Sequence, residues 1–233
     1  MADLNLITLA KHYQQGPSLV RALDGVDLEI GAGQLVSIVG RSGSGKTTLL
    51  DLVGLLSRPT SGKVMLDGVD TALLGDGKLA DLRGQRIGFV FQEYNLLPTL
   101  DLLENVMLPL DYAKPNVKDP RKRALDLIEM VGLSKRLGHY PRQLSGGEQQ
   151  RVAIARAFVN QPSIVLADEP TGAVDTQTAA ELIAVIKRLN REEDVTFMVA
   201  THDLELAAQT DRIIRLSDGR VMKDELAPFR VAA

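Results

Sequence analysis

The sequence contains no cysteine, only 4% aromatic residues and no long hydrophobic run. The absence of cysteine excludes a disulfide framework and a thiolate metal site. Since 27 basic and 30 acidic residues give a net charge of −3, we expect no nucleic-acid partner. No segment reaches the roughly 18 apolar residues that cross a bilayer, and the start MADLNLITLAKHY is too polar for a signal peptide. We therefore expect a cytoplasmic protein that reaches a membrane only through a partner.

The pattern along the chain indicates an α/β fold. Its 233 residues suit one large domain. Apolar runs typical of strands lie at 4–9, 26–30, 34–39, 62–66, 87–91, 164–167, 196–200 and 212–216. Helical periodicity follows at 102–110, 121–131 and 146–159. We expect one domain, 1–233, with a core of 1–92 and 159–233, a helical insertion at 93–158, and a hairpin turn at Asp218-Gly219.

The segment QLVSIVGRSGSGKTTLLDLVGLL has the order strand, glycine loop, helix, and it matches the pattern G-x-x-x-x-G-K-[ST]. Backbone N–H groups of such a loop wrap phosphates, Lys46 reaches the β and γ groups, and Thr47 binds Mg²⁺. An ordinary glycine turn would explain the glycines but not the Lys-Thr pair. The predicted phosphate-binding residues are Gly40, Ser42, Gly43, Ser44, Gly45, Lys46, Thr47 and Thr48.

Polar residues follow three further apolar runs, where a parallel sheet presents its ligand-facing edge. Asp168 and Glu169 follow the run at 164–167. Asp168 fits a magnesium ligand and Glu169 fits a base that polarises water; alternatively, the two acids form a solvated turn. His202 follows 196–200 and is a phosphate contact or part of a plain helix cap. Gln92 follows 87–91 and contacts the metal or water, or is a polar strand end.

The segment LSGGEQQR predicts a second anion site. Ser145 and Glu148 have the spacing of a capping box at the start of a helix. Gly146 and Gly147 lie across that helix start, where unpaired N–H groups and the helix dipole attract anions. The chain therefore carries two candidate phosphate sites about a hundred residues apart.

The motifs GRSGSGKTT, FQ, LSGGEQQR, IVLADEPT and the isolated His202, in this order, resemble those of ATP-binding subunits of ABC transporters over residues 4–221. The resemblance implies a RecA-like P-loop core, an N-terminal antiparallel β subdomain and an inserted α-helical subdomain. It also implies a Mg-dependent ATPase with ATP and Mg²⁺ as cofactors. The implied metal contacts are Thr47, Gln92 and Asp168.

The resemblance further implies a role for single residues. Tyr13 would stack on adenine and Gln92 would sense the metal. Glu169 would be the catalytic base, with Lys46 neutralising charge, and His202 would contact the γ-phosphate.

The resemblance also implies an answer for the second anion site, because in this family LSGGE closes over the γ-phosphate held by a second copy, arranged head to tail. Ser145, Gly147 and Glu148 would then act on the partner's nucleotide. Asp175 would pass signals across the dimer. Glu148 stands where many members have Gln, and Val174 where Leu is usual; both changes preserve capping chemistry or volume.

The stretch FQEYNLLPTLDLLENVMLPL resembles the subgroup of lipoprotein-release, macrolide-export and cell-division ATPases. A separate integral membrane permease is expected to contact the segment from Gln92 to Leu100. Within it, Leu96 and Leu97 are either core leucines or part of a docking surface with Tyr94. A regulatory cell-division ATPase remains an alternative. A translation factor would carry two cassettes, and a DNA-repair relative a long coiled coil.

Overall fold

A computed structural model describes residues 3–113 and 117–228. Parts of the predicted domain at 1–2, 114–116 and 229–233 lie outside the described residues. The strands are β1 (Leu4–Gln15), β2 (Ser18–Ile30), β3 (Leu35–Val39), β4 (Ser61–Leu66), β5 (Val69–Asp70), β6 (Ile87–Val90), β7 (Ile164–Asp168), β8 (Thr196–Thr201), β9 (Arg212–Ser217) and β10 (Arg220–Leu226). The helices are α1 (Lys46–Val53), α2 (Asp76–Arg86), α3 (Leu102–Tyr112), α4 (Pro120–Met130), α5 (Gly146–Phe158), α6 (Thr176–Glu192) and α7 (Leu204–Ala207).

A six-stranded sheet forms the centre of the molecule, in the order β10-β9-β3-β8-β7-β6. Neighbouring strands from β9 to β6 are parallel, and β10 is antiparallel to β9 at the edge. Every residue of β3 and β8 is buried, as their mainly apolar sequences predict for strands covered on both faces; Ser37 and the terminal threonines of β8 are buried as well. The turn between β9 and β10 holds Asp218 and Gly219 at φ 48° and 74°, which confirms the predicted hairpin.

A second, four-stranded sheet is antiparallel, in the order β2-β1-β4-β5, and confirms the expected N-terminal β subdomain. Its first two strands are longer than the apolar runs at 4–9 and 26–30. They continue to a turn at Gly16, with Gln15 opposite Ser18. The extension is half polar, because its outer residues face solvent, so hydrophobic runs alone do not reveal it.

Two hydrophobic clusters cover opposite faces of the six-stranded sheet. One joins the sheet to the four-stranded sheet and α1. The other joins it to α3, α4, α5 and α6, with Phe158 and Phe197 stacked 6.1 Å apart between ring centroids. The helices at 102–158 therefore pack as part of the central core, although they are inserted between β6 and β7 in the sequence.

The three predicted insertion helices are present as α3, α4 and α5, but two helices were missed. The α2 helix buries only Leu79, so its sequence DGKLADLRGQR carries little periodicity. The α6 helix carries a readable signal, an Asp175 cap followed by buried Leu182, Ile186 and Leu189 at helical spacing. Within 3–113 and 117–228, none of the helices combines the length and apolarity that crossing a membrane requires.

Candidate active site

The glycine loop between β3 and α1 is pressed against its surroundings at two glycines and open at a third. A Cβ on Gly40 would lie 2.3 Å from the Leu216 carbonyl oxygen, and one on Gly45 2.4 Å from that of Ala22. Gly45 also has φ 105°, which side-chain-bearing residues rarely adopt. A Cβ on Gly43 would meet nothing within 4 Å. The loop therefore has a fixed inner side and a free outer side.

Two polar side chains in this loop fit an anionic ligand. The Lys46 ammonium is nearly buried and donates to the carbonyl oxygens of Gly40 and Arg41 at 2.8 and 3.3 Å. Within the described part of the chain, no carboxylate lies within ion-pair distance of Lys46. The buried Ser44 hydroxyl has no hydrogen-bond partner there either. Buried polar groups are normally paired, so both groups suit a phosphate.

Thr47 and Asp168, which the sequence predicts as metal ligands, are in direct contact. The Thr47 hydroxyl donates to Asp168 Oδ2 at 2.8 Å, bridging the first turn of α1 and the end of β7. Burial raises the pKa of Asp168, the Thr47 hydrogen bond opposes that rise, and the Glu169 charge adds to it. A bound cation would favour the ionised carboxylate. Hydroxyl and carboxylate oxygens are ligands that Mg²⁺ accepts.

The Glu169 carboxylate is held by residues from the end of β8. His202 Nδ1 lies 2.8 Å from Glu169 Oε1, and the Thr201 hydroxyl donates to Oε2 at 3.1 Å. This contact exists because β7 and β8 are parallel neighbours, the condition on which the sequence argument for His202 depends. Glu169 also has φ 45°, an uncommon conformation for glutamate that costs backbone energy.

Most of these residues line one cleft of about 800 Å³, but Gly40, Ser44 and Thr201 are not among its lining residues. Its lining residues are Val20, Arg21, Ala22, Arg41, Ser42, Gly43, Gly45, Lys46, Thr47, Thr48, Gln92, Asp168, Glu169 and His202. The Gln92 amide approaches Glu169 across Gly172, where an added Cβ would lie 3.4 Å from each side chain. Tyr13 is not among the lining residues; its cross-strand neighbour Val20 is, and the Lys11 ammonium lies 5.2 Å from the Tyr13 ring centroid.

The LSGGE residues lie outside this cleft, at the start of α5. The Glu148 N–H donates to Ser145 Oγ at 3.2 Å, and the Ser145 N–H donates to Glu148 Oε2 at 2.8 Å, so the predicted capping box is present. The Ser145 N–H and the Arg136 guanidinium, 3.0 Å from Glu148 Oε1, lower the pKa of Glu148. Ser145 is exposed and Gly147 is buried.

Gly147 packs against Thr178 at the start of α6, and the side chain of Thr178 is hydrogen-bonded to Asp175. A Cβ on Gly147 would lie 2.4 Å from Thr178 Cγ2. The Thr178 hydroxyl donates to Asp175 Oδ2 at 2.7 Å and its N–H to Oδ1 at 3.0 Å, and these bonds lower the pKa of Asp175. One threonine therefore links the helix start of LSGGE to Asp175, two motifs that the sequence analysis treated separately.

Comparison with known proteins identifies the family. The model of the family described as "ABC transporter" matches residues 23–172. The chain belongs to the ABC transporter family. The ATP-binding protein LolD of the lipoprotein-releasing system of Bordetella avium is 46% identical to this ABC ATPase, over 95% of the chain and 96% of LolD. The macrolide export ATP-binding/permease protein MacB of Rhodopirellula baltica is 48% identical over 95% of the chain, which spans 33% of MacB.

Solved structures of MJ0796, an ABC transporter cassette of Methanocaldococcus jannaschii, agree with this assignment. The dimer has a TM-score of 0.88 at 45% identity, covering 96% of this chain and 98% of that one. A dimeric post-hydrolysis state bound to ADP and Pi has a TM-score of 0.87 at 44% identity, with the same coverage. The chain is an ATP-binding, ATP-hydrolysing ABC cassette.

Two contacts of this ABC ATPase were missed by the sequence analysis. Thr201, which holds Glu169, was not singled out beside His202, and Thr178 carried no motif. For Thr201 the available signal was its place at the end of a parallel strand beside β7. Thr178 is a cap partner of Asp175 three residues on, but its contact with Gly147 depends on how α5 and α6 pack.

Proposed function

We propose that two copies of this ABC ATPase close head to tail around two MgATP molecules and drive a separate membrane permease. One observation carries the proposal: the cleft that holds Lys46 does not include the LSGGE residues of the same chain. Ser145 is exposed at a capped helix start, where a phosphate from another chain can approach. Two incomplete sites in one chain become two complete ones in a two-fold symmetric dimer.

In this proposal the residues of the cleft divide the work of hydrolysis. Glu169 takes a proton from the water whose oxygen attacks the γ-phosphorus, while the bond to the bridging oxygen breaks and its electron pair leaves with ADP. Lys46 and the loop N–H groups neutralise charge on the phosphates, and Ser145 and Gly147 of the partner add donors on the other side. His202 and Thr201 orient Glu169, and His202 contacts the γ-phosphate once the nucleotide is bound.

Mg²⁺ would be held by Thr47 and Asp168, with Gln92 within reach of the metal or the water. The hydrogen bond between Thr47 and Asp168 already brings two oxygen ligands together, which fits a cation that takes few protein ligands and completes its shell with phosphate and water. When bound, Mg²⁺ withdraws charge from the phosphate oxygens. Tyr13 would flank the adenine from the neighbouring β1–β2 hairpin.

The permease contact is proposed for an apolar groove of about 500 Å³ between α2, α3 and α5. Phe89, Phe91 and Pro109 line it, and the exposed side chains of Leu56 and Tyr112 stand at its edge. The lining includes Arg83 and Arg156 and no acidic residue, so it favours an apolar segment that also carries acidic groups or free helix carbonyls.

The groove refines the expected contact at Gln92–Leu100. Asn95 of that segment lines the groove, and Leu97 is exposed, whereas Leu96 packs against the core. Tyr94 is half-buried with its hydroxyl beside Gly146, so it is not a free docking residue as the sequence suggested. The permease would hold the ATPase at the cytoplasmic face of the membrane. Relatives named for lipoprotein release and macrolide export support an export or release system over a cell-division regulator.

Complementation between two inactive variants tests the head-to-tail arrangement. Chains with Ser145→Arg lack a working LSGGE, and chains with Lys46→Ala lack a working phosphate loop. A mixture regains ATPase activity if each site uses the loop of one chain and the LSGGE of the other, because only mixed dimers contain an intact site. A mixture as inactive as its parents contradicts the proposal, provided that both variants keep the thermal stability of the parent chain.

A variant that is trapped as an ATP-bound dimer tests the proposed role of Glu169 as the catalytic base. Glu169→Gln should abolish turnover while preserving ATP binding, so that the variant elutes as a dimer in MgATP. Monomer alone at saturating ATP would contradict the role of Glu169.

A further inference from the structure

Arg156 lies near the end of α5, the helix that begins with LSGGE. Its guanidinium donates to the carbonyl oxygens of Asn95 and Tyr94 at 2.5 and 2.6 Å. Over the residues that the structure describes, no carboxylate lies within ion-pair distance of it. Burial lowers the pKa of this guanidinium, as expected for a cation removed from water. Its two carbonyl bonds are therefore the interactions that compensate for its burial.

The backbone that Arg156 holds is strained. Tyr94 and Asn95 have φ 55° and 49°, in the left-handed region that residues other than glycine rarely occupy. Consecutive residues keep such a conformation only when their surroundings hold it. The guanidinium fork binds both carbonyls at once, which a single planar group can do with fixed geometry.

The same loop contacts both ends of α5. Gln92 precedes Tyr94 by two residues and lines the phosphate cleft. The Tyr94 hydroxyl lies at the start of the helix, 2.9 Å from where a Cβ on Gly146 would be. The loop therefore joins the Gln92 side of one cleft to the helix start that carries Ser145.

We infer that Arg156 is a positioning residue. It fixes the position of Gln92, which lines the chain's own cleft, relative to the LSGGE segment of the same chain, which acts at the partner's cleft. The inference rests on the proposed head-to-tail dimer. Since Arg156 and Asn95 both line the groove proposed for the permease, an occupant of the groove contacts this junction directly. Loss of the guanidinium fork should therefore impair both clefts of a dimer, the chain's own through Gln92 and the partner's through LSGGE.

The complementation pair separates these two effects. In a mixture of Ser145→Arg and Lys46→Ala chains, the only intact site combines the loop and Gln92 of the first with the LSGGE of the second. Arg156→Gln added to the Ser145→Arg chain perturbs that site through Gln92. The same change added to the Lys46→Ala chain perturbs it through LSGGE. Arg151→Gln is the matched control, because Arg151 lies on the same helix but binds Val131 and Glu181 instead.

We expect Arg156→Gln to lower kcat about tenfold in either chain, the loss expected for one hydrogen bond to a charged group. The KM for ATP should change less than about twofold, since Lys46 and the phosphate loop are untouched. Arg156→Lys, which keeps the charge but not the fork, should lose less. A loss confined to one of the two chains, no loss in either, or an equal loss with Arg151→Gln overturns the inference.

A double-mutant cycle in the otherwise unchanged chain gives a second measurement that does not depend on complementation. In this dimer Arg156→Gln acts on each site through Gln92 of one chain and through LSGGE of the other. When Gln92→Ala is already present, the effect of Arg156→Gln on kcat should therefore shrink to the part that passes through LSGGE. If the two changes lower kcat independently, so that the double variant shows the product of the two single losses, the proposed link between Arg156 and Gln92 is contradicted. If the parent mixture is inactive, the head-to-tail proposal fails, and this cycle still decides whether Arg156 acts through Gln92.

Discussion

Replacing Gly147 with alanine should expose the contact between LSGGE and α6. The new Cβ would lie 2.4 Å from Thr178 Cγ2, whereas carbon atoms in contact are about 3.5 Å apart, so the atoms must separate by about 1 Å. Thr178 cannot turn its methyl away without breaking its hydroxyl bond to Asp175. Overpacking of this kind costs about 1 to 3 kcal/mol, and each kcal/mol lowers the Tm of a chain of this size by about 2 to 4 °C.

A second substitution tests whether that methyl is the obstacle. Thr178→Ser removes Cγ2 and keeps the hydroxyl that donates to Asp175. Combined with Gly147→Ala, it should recover most of the lost stability, with a coupling of at least about 0.5 kcal/mol in a double-mutant cycle. Thermal and urea unfolding of the wild type, both single variants and the double variant supply the four values.

ATPase measurements on the same four proteins separate packing from nucleotide contact. If the Gly147 backbone closes over the partner's phosphate, the double variant should be stable but remain well below wild-type kcat, while Thr178→Ser alone stays active. A double variant no more stable than Gly147→Ala would refute the packing argument. A double variant with full activity would refute the role of Gly147 at the partner's nucleotide.

Three further predictions follow from the contacts. Leu56→Ser with Tyr112→Ser should keep the basal ATPase rate and remove the change in rate caused by the membrane partner, while the exposed Leu73→Ser outside the groove should change neither; a fully responsive double variant contradicts the groove assignment. Glu193→Ala removes the carboxylate from a largely buried bidentate pair and leaves Arg123 only its bond to the Phe158 carbonyl oxygen, so it should cost about 3 kcal/mol by urea unfolding. Asp76→Ala should cost less than about 1 kcal/mol, because its pair with Arg58 is exposed; equal losses contradict the burial argument. Folding lowers the pKa of Asp175, so the ionised carboxylate stabilises the fold above its ordinary pKa of 3.8, and this stabilisation is lost as pH falls through the lowered pKa. The difference in unfolding free energy between wild type and Asp175→Asn should therefore shrink over that pH range. A difference that does not change with pH contradicts this prediction.

Much of the fold was readable from the sequence because its strongest signals are local. The mainly apolar runs that became β3, β7 and β8 and the glycine loop after β3 are decided by near neighbours in the chain. The α2 helix was not readable, because it buries a single leucine and therefore carries little apolar periodicity. The outer half of the first hairpin was missed for a similar reason, since its pairing carries no apolar pattern.

The residues of the candidate site likewise fall into those that local sequence motifs reveal and those that only tertiary packing brings into contact. The structure brings Lys46, Thr47, Asp168, Glu169 and His202, which the motifs marked, to one cleft, since parallel strands bring their carboxyl ends to one edge. The contacts that hold the loop at Tyr94 and Asn95 could not be predicted from the sequence, because the hydrogen bonds from Arg156 to their carbonyl oxygens join positions about sixty apart in the chain. Such contacts depend on how α5 packs over β6, and a single sequence carries no record of that packing.

Three groups in and beside the cleft carry a cost in free energy, and each is placed where a phosphate or a cation would offset it. Among residues 3–113 and 117–228, the buried Ser44 hydroxyl has no hydrogen-bond partner and the nearly buried Lys46 has no carboxylate within ion-pair distance, while burial raises the pKa of Asp168. An anion satisfies the first two, and a cation favours the ionised form of the third. Buried strands on either side hold these groups in place despite the cost, because β3, β7 and β8 cannot shift without opening the core. Nucleotide binding and stability of the core are therefore coupled, and the partner chain that completes each site adds to the same coupling.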